Sequence, residues 1–137
     1  MLSAADRNMT GWIFWSYKDW RDVPGGPGDG SLFDDDHDIS SLRGAMADTL
    51  SRGYPEAIAG TPERWAWSRP KRRFTLAYRP DPAVFAPTSI SLPTRRHYRR
   101  GYRVRVDGGR VVSGPRAQHL LVDANPGEPE VRVTVTP

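Results

Sequence analysis

The sequence predicts a mainly β protein, in which an antiparallel β-sandwich over residues 55–137 follows a single strand–loop–helix unit over residues 1–54. Three observations carry this. From residue 60 onward apolar residues recur at every second position, and turn residues interrupt them about every 8–15 residues, the rhythm of a small sandwich. Before residue 54 the rhythm changes to one dense aromatic run, a glycine- and proline-rich loop and a helical stripe. The composition agrees. There are 13 glycines, 13 prolines and only 37% apolar residues, against about 45–50% in an average globular chain.

The elements follow in order. Residues 11–20 read GWIFWSYKDW. As a strand over 11–17, Trp12, Phe14 and Ser16 share one face and Ile13, Trp15 and Tyr17 the other. Both faces are apolar at first, which belongs inside a covered parallel sheet. Residues 23–31, VPGGPGDGS, form a loop. A helix is expected over 40–52, capped by Asp38, Ser40 or Ser41. Its apolar stripe is Leu42, Ala45, Met46, Thr49 and Leu50. Arg52 would sit at the negative end of its dipole, Gly53 would cap it, and Pro55 would stop it.

Short strands are then expected at 64–67, 74–78, 89–92, 102–106, 110–112, 119–122 and 131–135. Asp107-Gly108-Gly109 carries the residues that a tight hairpin needs. Arg103 and Arg105 alternate with Tyr102, Val104 and Val106, so they face solvent.

With no cysteine, the chain has no disulfide, no thiolate nucleophile and no cysteine zinc site. No run approaches the ~20 apolar residues that span a bilayer. The opening MLSAADRNMT has two charges and no apolar core, unlike a signal peptide. The formal charge of +4 hides a split: residues 1–60 carry a net −5 and residues 61–137 a net +9. A solvated arginine-rich surface accounts for this, and an anionic membrane surface is the partner it would best suit.

No metal or other cofactor is expected. Asp34, Asp35, Asp36, His37 and Asp38 lack the alternating spacing of a calcium loop, and read as an acidic loop leading into the helix. His37, His97 and His119 are scattered, which argues against a catalytic triad, and His119 reads as a packing residue. Arg95, Arg96, His97, Tyr98, Arg99, Arg100, Gly101 and Tyr102 interleave arginines with aromatics, as single-strand nucleic-acid binders do. The cluster matches no RNA-binding motif, so nucleic acid is not the expected partner. Tyr98 and Trp65 would suit a membrane interface.

Three stretches, GWIFWSYKDW, LRGAMADTLSRGYPEAIAGTPERW and GYRVRVDGGRVVSGPRAQHLLVDANPG, together resemble the C-terminal part of endoglycosylceramidase-like enzymes. These are family-5 glycoside hydrolases, retaining enzymes with a (β/α)8 barrel followed by a C-terminal β-sandwich, often secreted. The resemblance implies that residues 1–54 are a βα remnant of that barrel, its strand 8 and helix 8, and that residues 55–137 are the C-terminal sandwich.

Retaining hydrolysis uses two carboxylic acids about 5–5.5 Å apart. In this family both are glutamates that precede strand 8, in N-E-P and T-E-x-G-like motifs. The chain's four glutamates, Glu56, Glu63, Glu128 and Glu130, lie in neither motif. No catalytic residue is therefore expected in the chain, and hydrolysis by it alone is not expected. The resemblance does assign substrate-binding positions. Trp15 matches the tryptophan at the end of strand 8 that stacks under a sugar, and barrel sites lie at that strand end. Tyr17, with Asp19, would line the same cleft. Trp12 and Phe14 would face the outer helices. The implied partner is a glycolipid or carbohydrate, met through the parent enzyme. The alternative is a stand-alone β-sandwich that binds carbohydrate or an anionic membrane surface.

Overall fold

The computed structural model describes residues 2–14, 31–35 and 37–137. Residues 1–10 and 51–137 form one compact unit and residues 11–50 a second.

The larger unit is a two-sheet antiparallel sandwich. After α1 (Leu2–Arg7) come β1 (Tyr54–Ala57), β2 (Gly60–Ser68), β3 (Arg73–Pro80), β4 (Thr88–Ser91), β5 (Arg103–Asp107), β6 (Gly109–Val111), β7 (His119–Ala124) and β8 (Val131–Thr136). One sheet has the order β1-β4-β7-β6 and the other β2-β3-β8-β5. All the strands foreseen from the alternating pattern are present. β1 is additional. Tyr54-Pro55-Glu56-Ala57 has no alternation of its own, but it pairs with β4, with Pro55 opposite Ile90. Proline is tolerated there because β1 is an edge strand. Pro62 lies in β2, the edge of the other sheet.

The core follows from the period of two. Phe74, Leu76 and Tyr78 point inward from β3 and stand opposite Val135, Val133 and Val131 of β8. Ile90 from β4 and Leu120 and Val122 from β7 close the core from the facing sheet. Each of these side chains is almost fully buried. Arg103 and Arg105 face solvent as expected.

The Asp107-Gly108-Gly109 turn corrects one expectation. It does not make a hairpin: β5 pairs with β8 and β6 with β7, so the turn carries the chain from one sheet to the other. Gly108 has φ +76°, and a Cβ there would lie 2.3 Å from the Glu130 carbonyl oxygen. A Cβ on Gly109 would lie 2.5 Å from the Asp123 carbonyl oxygen. Backbone carbonyls crowd both positions, so glycine is required by space at each and by conformation as well at Gly108.

In the smaller unit the predicted helix is shorter than its pattern. A 3-10 turn (Ile39–Ser41) comes first, and α2 is Gly44–Leu50. Asp38 caps the turn, its carboxylate accepting from the Ser40 amide at 2.8 Å. The Ser41 hydroxyl donates back to the carbonyls of Asp35 and Asp38. Leu42 then adopts extended backbone and bridges Phe33, which breaks the helical run. Arg43 pairs with Asp34 at 2.7 Å.

Two further corrections concern the residues after α2. Arg52 is drawn into a buried ion pair with Asp6 of α1 rather than left at a helix end. Gly53 has no left-handed backbone; its missing side chain leaves room for Phe74 and Trp67.

Residues 11–14, the described part of the predicted first strand, form no strand, and Ile13 is 93% exposed. A strand apolar on both faces needs neighbours to cover it, and no described strand pairs with it. No described helix is long and apolar enough to cross a membrane.

Candidate functional site

Trp15, the sugar-stacking position that the resemblance implies, and Tyr17 and Asp19 beside it lie outside the described residues. The four glutamates are all described, and three of them engage hydroxyl, imidazole or guanidinium partners. Glu56, on β1, accepts from the Ser89 hydroxyl at 2.7 Å and lies 3.0 Å from His119 Nδ1. Glu63, on β2, pairs with Arg79 at 3.4 Å. Glu130 pairs with Arg132 at 2.5 Å and Arg64 at 3.8 Å. Glu128 lies in the β7–β8 loop.

His119 is thus not a packing residue. The imidazole is exposed because position 119 falls on the outer face of β7, and Glu56 across the sheet engages it. His97 is buried, its ring 5.5 Å from Trp67. The His37 backbone amide donates to Asp35.

Hydrogen bonds from His119 and then Ser89 hold the Glu56 carboxyl below its usual value. A carboxylate with a lowered pKa adds stability that is present above about pH 4.5 and lost as pH falls through the lowered value. Glu56→Gln should therefore flatten the decline of Tm with acidity between about pH 5 and 3. A Tm–pH curve parallel to that of the unmodified chain would show that the contact adds nothing.

The two ends of the sandwich differ sharply. In the antiparallel order, the β2–β3, β4–β5 and β6–β7 connections lie at one end and the remaining connections at the other. Residues 69–72, 92–102 and 112–118 make up the first set and contain eight Arg or Lys and no Asp or Glu. Residues 58–59, 81–87, 108 and 125–130 make up the second, with Asp81, Glu128 and Glu130 and no Arg or Lys. The basic half of the sequence is therefore concentrated at one pole.

A groove of about 790 Å³ opens at that pole. Arg72, Arg96, Arg99, Arg100, Arg103 and Arg116 line it. Beneath the arginines lie Tyr98 and Tyr102, their rings 5.6 Å apart. Tyr98 Oη donates to the Arg72 carbonyl and Tyr102 Oη to the Ala117 carbonyl, each at 2.7 Å. Each tyrosine thus pins the backbone of a loop that carries a groove arginine. Burial pushes both phenols above their usual value, so they remain neutral donors. The buried Tyr98 ring cannot reach a membrane interface, and Trp65 packs half-buried against the core with the Arg52 guanidinium 5.7 Å from its ring. The amphipathic look of both residues is used inside the fold.

The sequence cluster 95–102 identified part of this groove. It missed Arg72 and Arg116, which come from other loops. The signal that could have found them is the absence of any acidic residue in all three connections. The opposite pole has a groove of about 500 Å³, lined by Asp81, Asn125 and Glu128 beside the 94% exposed Phe85. Among the described residues no cluster of His, Asp and Glu could hold a metal ion.

Comparison with known proteins places the chain. The model of the glycoside hydrolase family 5 C-terminal domain matches residues 52–136, which is the whole sandwich. Endoglycoceramidase I of Rhodococcus hoagii (strain 103S) is 32% identical over 128 residues, covering 93% of this chain and 22% of the relative. The solved structure of endo-glycoceramidase II from Rhodococcus sp. with ganglioside GM3 superposes with a TM-score of 0.73 at 31% identity, over 99% of this chain and 27% of that one. Sterylglucosidase 1 of Cryptococcus neoformans shares the fold, with a TM-score of 0.75 at 24% identity over 98% of this chain and 22% of that one. The chain thus spans only about a quarter of the length of these relatives. The observed sandwich and the match across all its strands agree: this chain belongs to the glycoside hydrolase family 5 C-terminal domain family and is related to the endoglycoceramidases.

Proposed function

We propose that this chain is the non-catalytic positioning part of a retaining glycoside hydrolase that cleaves the bond between a sugar and a lipid aglycone. The observation that carries this is the family match across the sandwich of a chain whose four glutamates lie in neither catalytic motif. Such hydrolysis needs two carboxylic acids about 5–5.5 Å apart facing one substrate. Here Glu56, Glu63 and Glu130 engage hydroxyl, imidazole or guanidinium partners on different strands.

The relatives supply the substrate class. Endo-glycoceramidase II was solved both as a ganglioside GM3 complex and as a lactosyl-enzyme intermediate. On this reading residues 1–54 are the last part of the parent's barrel and residues 55–137 the positioning domain. Trp15 would stack against the sugar in the complete enzyme, with Tyr17 lining the same cleft. The basic pole would face an anionic membrane surface that displays the glycolipid.

The purified 137-residue chain, incubated with a fluorescent glucosylceramide, is expected to release no labelled ceramide above a buffer control. Turnover abolished by one of Glu56→Gln, Glu63→Gln, Glu128→Gln or Glu130→Gln would overturn the reading and identify the carboxylate responsible.

A further inference from the structure

We propose that the basic groove is a binding site for a phosphate-class oxyanion, such as the headgroup of an anionic lipid. The inference stands on the sandwich alone and does not depend on the catalytic reading above.

Three features distinguish the groove from an ordinary arginine-rich surface. The first is the strict sorting of charge between the two poles. Arg72, Arg99, Arg100 and Arg116 are exposed, and none is in an ion pair with a described carboxylate. Several strand arginines do have such partners: Arg79 pairs with Glu63, Arg105 with Asp107, Arg110 with Asp123 and Arg132 with Glu130. A field of one sign attracts anions, and guanidinium groups match the oxygens of phosphate.

The second is backbone conformation. Arg72 and Arg116 have φ of +44° and +60°. Left-handed backbone is uncommon for such residues and persists where the surroundings enforce it. Here the Tyr98 and Tyr102 hydroxyls pin the adjacent carbonyls. The strained positions and the charged lining therefore coincide.

The third is Gly101. It has φ +101°, and a Cβ there would lie 3.2 Å from Arg116 Nε. The missing side chain makes the seat in which the Arg116 guanidinium rests. The groove is thus built from three loops, with the Arg116 side chain seated before a ligand arrives, which lowers the ordering cost of binding.

The same geometry disfavours nucleic acid. Base recognition by such clusters relies on aromatic faces open to stacking. The Tyr98 ring is buried, edge-on to Trp67 and tilted against Tyr102, so its faces are occupied by the core.

The test uses the full chain and two double variants of equal charge. Arg100→Gln/Arg116→Gln removes two groove arginines. Arg79→Gln/Arg132→Gln removes two arginines from strand residues near the opposite pole, at the far ends of β3 and β8. A strand of six residues spans about 20 Å, well beyond the screening length of about 8 Å in physiological salt. Each protein is sedimented with vesicles of phosphatidylcholine alone and of phosphatidylcholine mixed with phosphatidylglycerol. Each is also titrated with inorganic phosphate and followed by the amide resonances of residues 99–101 and 116.

We expect the unmodified chain to sediment only with the anionic vesicles. The groove variant should lose about fivefold in affinity per arginine, about 30-fold in all, while the other variant stays close to the unmodified chain. Phosphate-dependent shifts at residues 99–101 and 116 without vesicle binding would support the oxyanion site and assign it to a soluble ligand. Equal losses in the two variants would overturn the proposal, since diffuse charge would then explain the binding. So would the absence of groove-dependent binding in both arms. Groove-dependent retention of a single-stranded oligonucleotide, tighter than that of vesicles, would overturn it in favour of nucleic acid.

Discussion

Replacing Arg52 by alanine is expected to destabilise the sandwich unit by about 3–5 kcal/mol at neutral pH, because it leaves the Asp6 carboxylate buried without its partner. Both side chains of the pair are only 4% exposed. Removing both charges should behave differently. Asp6 Oδ1 and Arg52 Nε have no hydrogen-bond partner among the described residues, so the pair is incompletely satisfied. Asp6→Leu/Arg52→Met should therefore be close to neutral or slightly stabilising, as buried ion pairs exchanged for apolar residues often are. Urea unfolding of the two variants decides the matter. A double variant as unstable as Arg52→Ala would show that the pair supplies net stability.

The same pair has a pH signature opposite to that of Glu56. Burial raises the Asp6 pKa and outweighs the opposing pull of Arg52. The folded state then holds this proton more tightly than the unfolded state does. Its contribution to stability is fully present below the usual carboxylate value and is lost as pH rises through the raised value. Without Arg52 the carboxyl can escape its charge by taking a proton. The deficit of Arg52→Ala should consequently shrink as the pH is lowered from 7 to 4.

The second large effect is expected at Phe74. Phe74→Ala should destabilise the sandwich by about 3–5 kcal/mol through lost burial and a residual cavity. The ring is fully buried, stands opposite Val135 and lies 6.3 Å from the Trp65 ring. It also fills the space left open by Gly53. Both sheets of the sandwich and the segment leading into β1 therefore depend on it. Phe85→Ala provides the contrast, because a side chain 94% exposed has little burial to lose and should stay within about 0.5 kcal/mol of the unmodified chain. A Phe74→Ala midpoint within about 1 kcal/mol of the unmodified chain would mean that the core repacks around the gap.

The sandwich was legible because alternation is a local property. β3 and β8 show it without interruption, and side chains on successive strand residues must point to opposite faces. β1 was not legible, since Pro55 and Glu56 break the pattern and only pairing with β4 makes the segment a strand. The helix was overextended for the complementary reason: its apolar stripe continues through Leu42, but Leu42 is used to bridge Phe33. The groove was half legible. The run 95–102 stands out by composition, whereas Arg72 lies 23 residues before it and Arg116 14 residues after it, and neither carries a mark of a shared site.

By itself the sequence determined the class of fold, the lack of both catalytic glutamate motifs and the family resemblance. These depend on which residues occur and on their spacing along the chain. Tertiary structure decided which strands share a sheet, that Arg52 belongs with Asp6, and that the basic residues gather at one pole. Those are properties of residues far apart in sequence. The two sheets bring them together because neither can bury its apolar face without the other.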